Sequence, residues 1–266
     1  MNESKLVEMI KINPFMIKTI ENPTEEMKIL AVKKDGLLLK YIDEPTREIE
    51  EIAIQSNPRA IEYVQDPTEE MMLNAVNLGW SNLHYIKNPT EEVIKVALNQ
   101  RGWAIQYVKN PSEELQLLAV QKDYDSIKYI IDPSEKIQNE AVKIRYDALR
   151  YIKSPYLSVE IEAIKNNERA INFINNIDED KIKLFLEKNI LVIKYLYDRI
   201  SSDIVIEELK EILSDENIEE KYIRDFLNCS IIDKGSYIDI DKIMFIYKYG
   251  SEKAKRIAVD EKLKIL

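Results

Sequence analysis

Paired acids are the commonest chemistry-bearing residues in this sequence: Glu25-Glu26, Glu69-Glu70, Glu91-Glu92 and Glu113-Glu114. Neighbouring carboxylates are what general acid–base catalysis uses. Here they return at one fixed interval, which instead places them at successive helix N-termini, where negative charge complements the helix dipole. An acidic ridge that engages a basic partner, or that mimics a row of phosphates, is compatible with the same pattern. His84 and Cys229 are the only histidine and the only cysteine, 145 positions apart, and cannot form a zinc site by themselves. His84 falls in a polar, variable column with Lys18, Lys40, Glu62, Gln106, Lys128 and Arg150, and reads as a solvated surface residue. Cys229 follows Leu227-Asn228 and reads as a small buried apolar residue rather than a nucleophile.

Aromatic residues and arginines form another group. Phe15, Trp80, Trp103, Tyr124 and Tyr146 occupy two adjacent positions of a repeating unit, with Arg101, Asp125, Arg145 and Asp147 nearby. Aromatics and arginine are the usual anchors of protein interfaces. The candidate partner-binding residues are therefore Trp80, Trp103, Tyr124, Tyr146, Arg101 and Arg145. The alternative is that these aromatics fill gaps between units. A tyrosine column (Tyr41, Tyr63, Tyr85, Tyr107, Tyr129, Tyr151) could stack nucleic acid bases. Its fixed spacing and aliphatic neighbours favour packing between units.

The elements that must position these residues follow from an internal period. Pro23, Pro45, Pro67, Pro89, Pro111, Pro133 and Pro155 are each 22 residues apart. Ala31, Ala53, Ala75, Ala97, Ala119, Ala141 and Ala163 share the register, each followed by Val, Ile or Leu. The Ile/Leu column from Leu39 to Ile171 and the aliphatic column from Ile42 to Ile174 flank the aromatic one. Without its proline, the register extends back through residues 1–22 and on through 177–198, giving nine units. Each unit predicts a helix of about three turns and a shorter second helix. Asn22, Asp66, Asn88, Asn110 and Asp132 are expected as N-caps, the proline as the first helical residue, and Glu25, Glu69, Glu91, Glu113 and Glu135 as capping-box partners. Breaks are expected near Gly36, Asn57, Gly79, Gly102 and Asn167. The alanine column implies close helix approach, and stacking supplies the apolar wall that a lone unit lacks. The reading is all-α: a right-handed α-solenoid of nine two-helix repeats over residues 1–198, with a helical C-terminal capping or partner-binding segment over 199–266.

The run Ala31-Val32-Lys33-Lys34-Asp35-Gly36-Leu37-Leu38-Leu39-Lys40-Tyr41 resembles a short two-helix repeat family of bacterial and phage proteins, largely without assigned function. The likeness covers about three-quarters of the chain. More loosely, the units are similar to HEAT-like solenoids and helical leucine-rich-repeat variants. The resemblance implies architecture and no catalytic residues, since the matching positions are packing positions. Its distribution suggests a phage or mobile-element product that inhibits a bacterial defence protein.

In the C-terminal segment, helices are predicted from Ser202 through Leu213, near Ile218–Leu227 and over Asp241–Tyr249, with a turn at Lys234-Gly235-Ser236. Ala258-Val259 echoes a repeat start, and Met244, Phe245, Ile246 and Tyr247 form an apolar cluster.

Composition narrows the function. The net charge is −10, distributed as −7 over residues 1–198 and −3 beyond, so bulk electrostatics disfavour nucleic acid and anionic membranes. Phosphate-loop, dinucleotide and zinc motifs are missing, and the five glycines are few for phosphate loops or lids. The opening Met1-Asn2-Glu3-Ser4-Lys5 has no apolar leader character, and no run approaches a membrane span. A single cysteine fits a reducing cytoplasm. The expectation is a non-catalytic, cofactor-free and metal-free protein-binding scaffold. The alternative is a nucleic-acid-binding helical repeat using lysines such as Lys33, Lys87, Lys109, Lys143, Lys153 and Lys165.

Overall fold

A computed structural model describes residues 3–263. Met1 and Asn2, at the start of the first expected unit and of the segment read for a leader, and residues 264–266, at the end of the expected C-terminal segment, lie outside the described residues. The fold is all-α. Among the described residues the only β-type pairing is an isolated bridge between Ile232 and Ile238.

The 22-residue register produces a recurring pair of elements. The first is an α-helix: α1 Glu3–Ile12, α2 Glu25–Lys34, α3 Arg47–Ser56, α4 Glu69–Asn77, α5 Glu91–Gln100, α6 Glu113–Lys122, α7 Glu135–Ile144, α8 Leu157–Asn166 and α9 Glu179–Lys188. The second is a six-residue 3₁₀ helix: Pro14–Thr19, Gly36–Tyr41, Pro58–Tyr63, Trp80–Tyr85, Gly102–Tyr107, Tyr124–Tyr129, Tyr146–Tyr151 and Glu168–Phe173. Leu39 and Ile42 are both buried, and the N–H of Ile42, the extended cap residue, donates to the Leu39 carbonyl at 3.0 Å. In the last repeat the 3₁₀ turn Ile190–Val192 runs on into α10, Ile193–Leu196. Thereafter the period lapses, and α11 (Ser202–Ser214), α12 (Glu220–Leu227), α13 (Lys242–Tyr249) and α14 (Glu252–Leu263) follow. The turn between α12 and α13 contains Gly235 at φ +76°.

The helix starts differ from the expectation. Proline is not the first helical residue, and the Asn or Asp before it is not the N-cap. The N-caps are Thr24, Thr68, Thr90 and Ser112, whose hydroxyls accept the N–H of Met27, Met71, Val93 and Leu115 at 3.3–3.4 Å. Thr46 and Ser134 occupy the same place. The proline precedes the cap and stiffens the turn, and the residue before it can be left-handed, as at Glu44, Asn110 and Asp132. Hydroxyl and carboxamide side chains are both good caps. The hydroxyl wins because it stands nearer the first helical N–H groups. The glutamates then take the first turn, where they also reach the next repeat: Thr46 donates to Glu25 at 3.3 Å and Thr90 to Glu69 at 2.5 Å.

The chain divides into two compact units, Met1–Asp132 and Pro133–Leu266. In the first, Ala31, Ala53, Ala75, Ala97 and Ala119 are wholly buried. Two glycines let the preceding 3₁₀ helix approach the backbone of this column closely: a Cβ on Gly36 would lie 2.1 Å from the Ala53 carbonyl oxygen, and one on Gly102 2.2 Å from that of Ala119. Side chains near the end of one helix also donate to the terminal carbonyls of the helix before, as Gln100 does to that of Val76 at 2.8 Å. In the second unit Ala141 and Ala163 are buried, Asn166 donates to the Val142 carbonyl at 3.2 Å, and Asn189 to that of Ile164 at 2.9 Å.

Candidate interaction surface

In most repeats the residue between the α-helix and its 3₁₀ partner caps both. It is Asn13, Asp35, Asn57, Asn167 or Asn189 in five repeats, and each carboxyl or amide oxygen accepts the N–H two residues on, at 2.9–3.2 Å. Arg101 and Arg145 stand in this place and make no such cap. Gly79 and Asp123 make no side-chain cap either, so the local rule is broken in four repeats, and in two of them an arginine stands where an interface anchor was expected.

In the first unit, Arg101 lies over the Trp103 ring at 4.6 Å and 3.5 Å from the Asp123 carboxylate. Lys128 lies over the same ring at 4.2 Å. The Trp103 indole N–H donates to Asp125 at 2.7 Å, and Lys128 donates to the other Asp125 oxygen at 2.8 Å. Burial pushes the Asp125 carboxyl up, but the hydrogen bonds from Lys128 and Trp103 outweigh it and hold the group below its usual range. Trp103 packs edge-on against Tyr129 at 6.5 Å, and Trp80 stacks on Tyr107 at 6.2 Å. Trp80, Trp103 and Tyr124 are all half-buried, while Arg101 is exposed. In the second unit, Tyr146 is half-buried and packs on Phe173 at 6.5 Å, and the exposed Arg145 meets Asp147 at 3.1 Å.

The structure thus brings Arg101 and Trp103 together. It gives Trp80, Trp103 and Tyr146 a packing role against the aromatic column of the following repeat. Gap-filling and exposure coexist in these residues. Two groups escaped the sequence reading. One is the pairing of Trp103 with Asp125 and Lys128, which come from the next repeat; the period itself was the available signal. The other is a row of cations laid on the aromatic column, including Lys18 over Tyr41 at 4.2 Å, Arg59 over Tyr85 at 4.9 Å and Arg150 over Phe173 at 5.8 Å. Protein cations already occupy these aromatic faces, which argues against a base-stacking role for them.

The second unit also contains a concavity of about 710 Å³ between α8, α9, α11 and α12. Seven carboxylates and three lysines line it, with Ile161, Ile212 and Tyr222 among the apolar residues. Lys165 pairs with Glu219 at 3.6 Å and Lys221 with Asp225 at 2.5 Å, leaving an excess of negative charge. Tyr222 donates to the Leu186 carbonyl at 2.8 Å, and burial raises its phenol pKa.

His84 is exposed, with its ring against Tyr107 at 4.9 Å, and Cys229 is a buried free thiol. Among the described residues, no group of three or more His, Cys, Asp or Glu is placed to hold a metal ion, and no helix is long and apolar enough to cross a membrane. On α13 the apolar cluster divides: Phe245 and Ile246 are buried, whereas Met244 and Tyr247 are exposed. Comparison with protein-family models, with curated proteins and with solved structures finds no match.

Proposed function

We propose that the chain is a non-catalytic protein-binding scaffold. Its first unit presents Arg101 with Trp80, Trp103 and Tyr124, and its second presents Arg145 with Tyr146. The observation that carries this reading is the replacement of the double-capping Asn or Asp by arginine at these two sites. Each arginine lacks a local hydrogen bond of about 1 kcal/mol and presents an exposed guanidinium, which at Arg101 lies over the Trp103 ring. Interfaces favour an exposed arginine beside aromatic residues. The acidic concavity and the net charge of −10 oppose a nucleic acid partner. The resemblance to bacterial and phage repeat proteins makes a bacterial cytoplasmic protein the partner class to try first, and blockade of a defence protein the role to test.

The test is capture from a nuclease-treated native bacterial lysate on the immobilised chain, beside Arg101→Asn and Arg145→Asn. Asparagine is the residue that caps this position in other repeats, and an unchanged circular dichroism spectrum verifies the fold of each variant. A protein retained by the parent and released by either variant supports the reading. Retention of nucleic acid alone, or of the same proteins by all three, refutes it.

A further inference from the structure

A groove of about 790 Å³ lies in the first unit, between the repeats that begin at Pro67 and Pro89. Its floor is apolar, with Ile86, Ile94 and Val108. One wall is Tyr107, against which the rings of Trp80 and His84 rest at 6.2 and 4.9 Å. Lys87 and Lys109 hold the same position in consecutive repeats and stand on its rim. Both are exposed, and neither makes an ion pair within the described residues. Tyr41 and Tyr85 in the same unit are covered by the cations of Lys18 and Arg59. At Tyr107 aromatic rings take that place, and the two ammonium groups stay available.

We propose that this groove binds an extended acidic segment of a protein partner, with an aliphatic side chain on the floor and carboxylates on Lys87 and Lys109. The charge match is local: two unpaired cations border an apolar surface on a chain of net charge −10. Charge-assisted hydrogen bonds to carboxylates are the strong kind. Adjacent repeats lie about 10 Å apart, and an extended peptide advances about 3.3 Å per residue. The two carboxylates are therefore two to four residues apart. A nucleic acid strand fits less well, because it has no aliphatic side chain to place on the floor of Ile86, Ile94 and Val108. This inference rests on the protein-binding reading and adds the chemistry of the partner.

The test uses the full chain and an end-blocked pentapeptide, acetyl-Asp-Glu-Leu-Asp-Glu-amide, titrated to millimolar concentration at low salt while backbone amide resonances are followed. Controls are the amide peptide acetyl-Asn-Gln-Leu-Asn-Gln-amide and a 15-nucleotide oligothymidylate. Saturable shifts at Lys87 and Lys109 are expected, weakened at least tenfold for the amide peptide and in the Lys87→Glu/Lys109→Glu variant. That variant alters exposed side chains only, and an unchanged circular dichroism spectrum verifies its fold. Equal binding by the variant, no saturation, or tighter binding of the oligonucleotide overturns the proposal. Lysate capture separates the two readings: a protein still retained by the double variant removes the groove and leaves the scaffold, whereas no protein retained by the parent removes the scaffold.

Discussion

Ala97 lies in α5 with no exposed surface, and its carbonyl accepts the Arg101 N–H at 3.0 Å. Ala97→Glu places a carboxyl among Val93, Ile94 and Leu98, all buried on the same helix. The least costly form at pH 7 is the protonated one. Holding a carboxyl neutral 2.7 units above its ordinary pKa of ~4.3 costs about 3.7 kcal/mol. Forcing the extra atoms into a packed interface adds about 1–3 kcal/mol. The total, about 5–7 kcal/mol, is a large part of the stability of an ordinary domain, and lowers Tm by roughly 10–25 °C at this chain length. Ala97→Gln supplies nearly the same volume without the ionisation, so the difference between the two variants isolates the charge. The introduced carboxyl has a raised folded pKa. Relative to the glutamine variant, its stability is therefore intact below the ordinary carboxylate pKa and declines as the pH rises above it. Melts by circular dichroism at pH 4 and pH 7 should show the two variants close together at pH 4 and about 3.7 kcal/mol apart at pH 7. A glutamate variant that melts with the parent at pH 7, or a gap that does not change with pH, would refute the burial assigned to the alanine column.

Three further outcomes follow from single residues. Ser126 is wholly buried and its hydroxyl has no partner, while Ala60, Ala104, Ala148 and Ala170 hold the equivalent position; Ser126→Ala should stabilise by about 1 kcal/mol, and a lowered urea midpoint would contradict the orphaned hydroxyl. Glu44 has φ +45° where Asn110, Asp132 and Asn176 are also left-handed; Glu44→Asn should raise stability by roughly 0.5–1 kcal/mol, read from chemical denaturation. In a Trp80→Phe background, Trp103 is the only tryptophan, and its emission should report Asp125 through their 2.7 Å hydrogen bond. The depressed Asp125 pKa means that the contact is complete above the ordinary carboxylate range and is lost as pH falls through the lower folded value; a midpoint above ~3.9 would contradict the pairing.

The repeat register was visible in the proline and alanine columns because identical units need identical packing residues. The second, shorter helix was legible in the Ile/Leu, tyrosine and aliphatic columns, but its 3₁₀ winding was not, because an interval of three residues also fits one face of an α-helix. The helix cap was misplaced by two residues, since Asn22-Pro23-Thr24 offers two good capping side chains in succession and only geometry selects between them. Arg101 and Trp103 were found as departures from the register. Their partners Asp123, Asp125 and Lys128 stand about one period away, and became contacts only when the repeats were stacked. The acidic concavity was not legible, because its walls α11 and α12 lie beyond the periodic region.

Excising one whole repeat tests the modular fold most directly. Removal of residues 45–66 joins Glu44 to Pro67 and keeps every column in register, whereas removal of residues 45–55 alone shifts every later column by half a unit. Circular dichroism with thermal melting should show a helical, cooperatively melting chain for the 22-residue deletion and loss of both properties for the 11-residue one. An unfolded 22-residue deletion, or two deletions that behave alike, would contradict stacking in chain order.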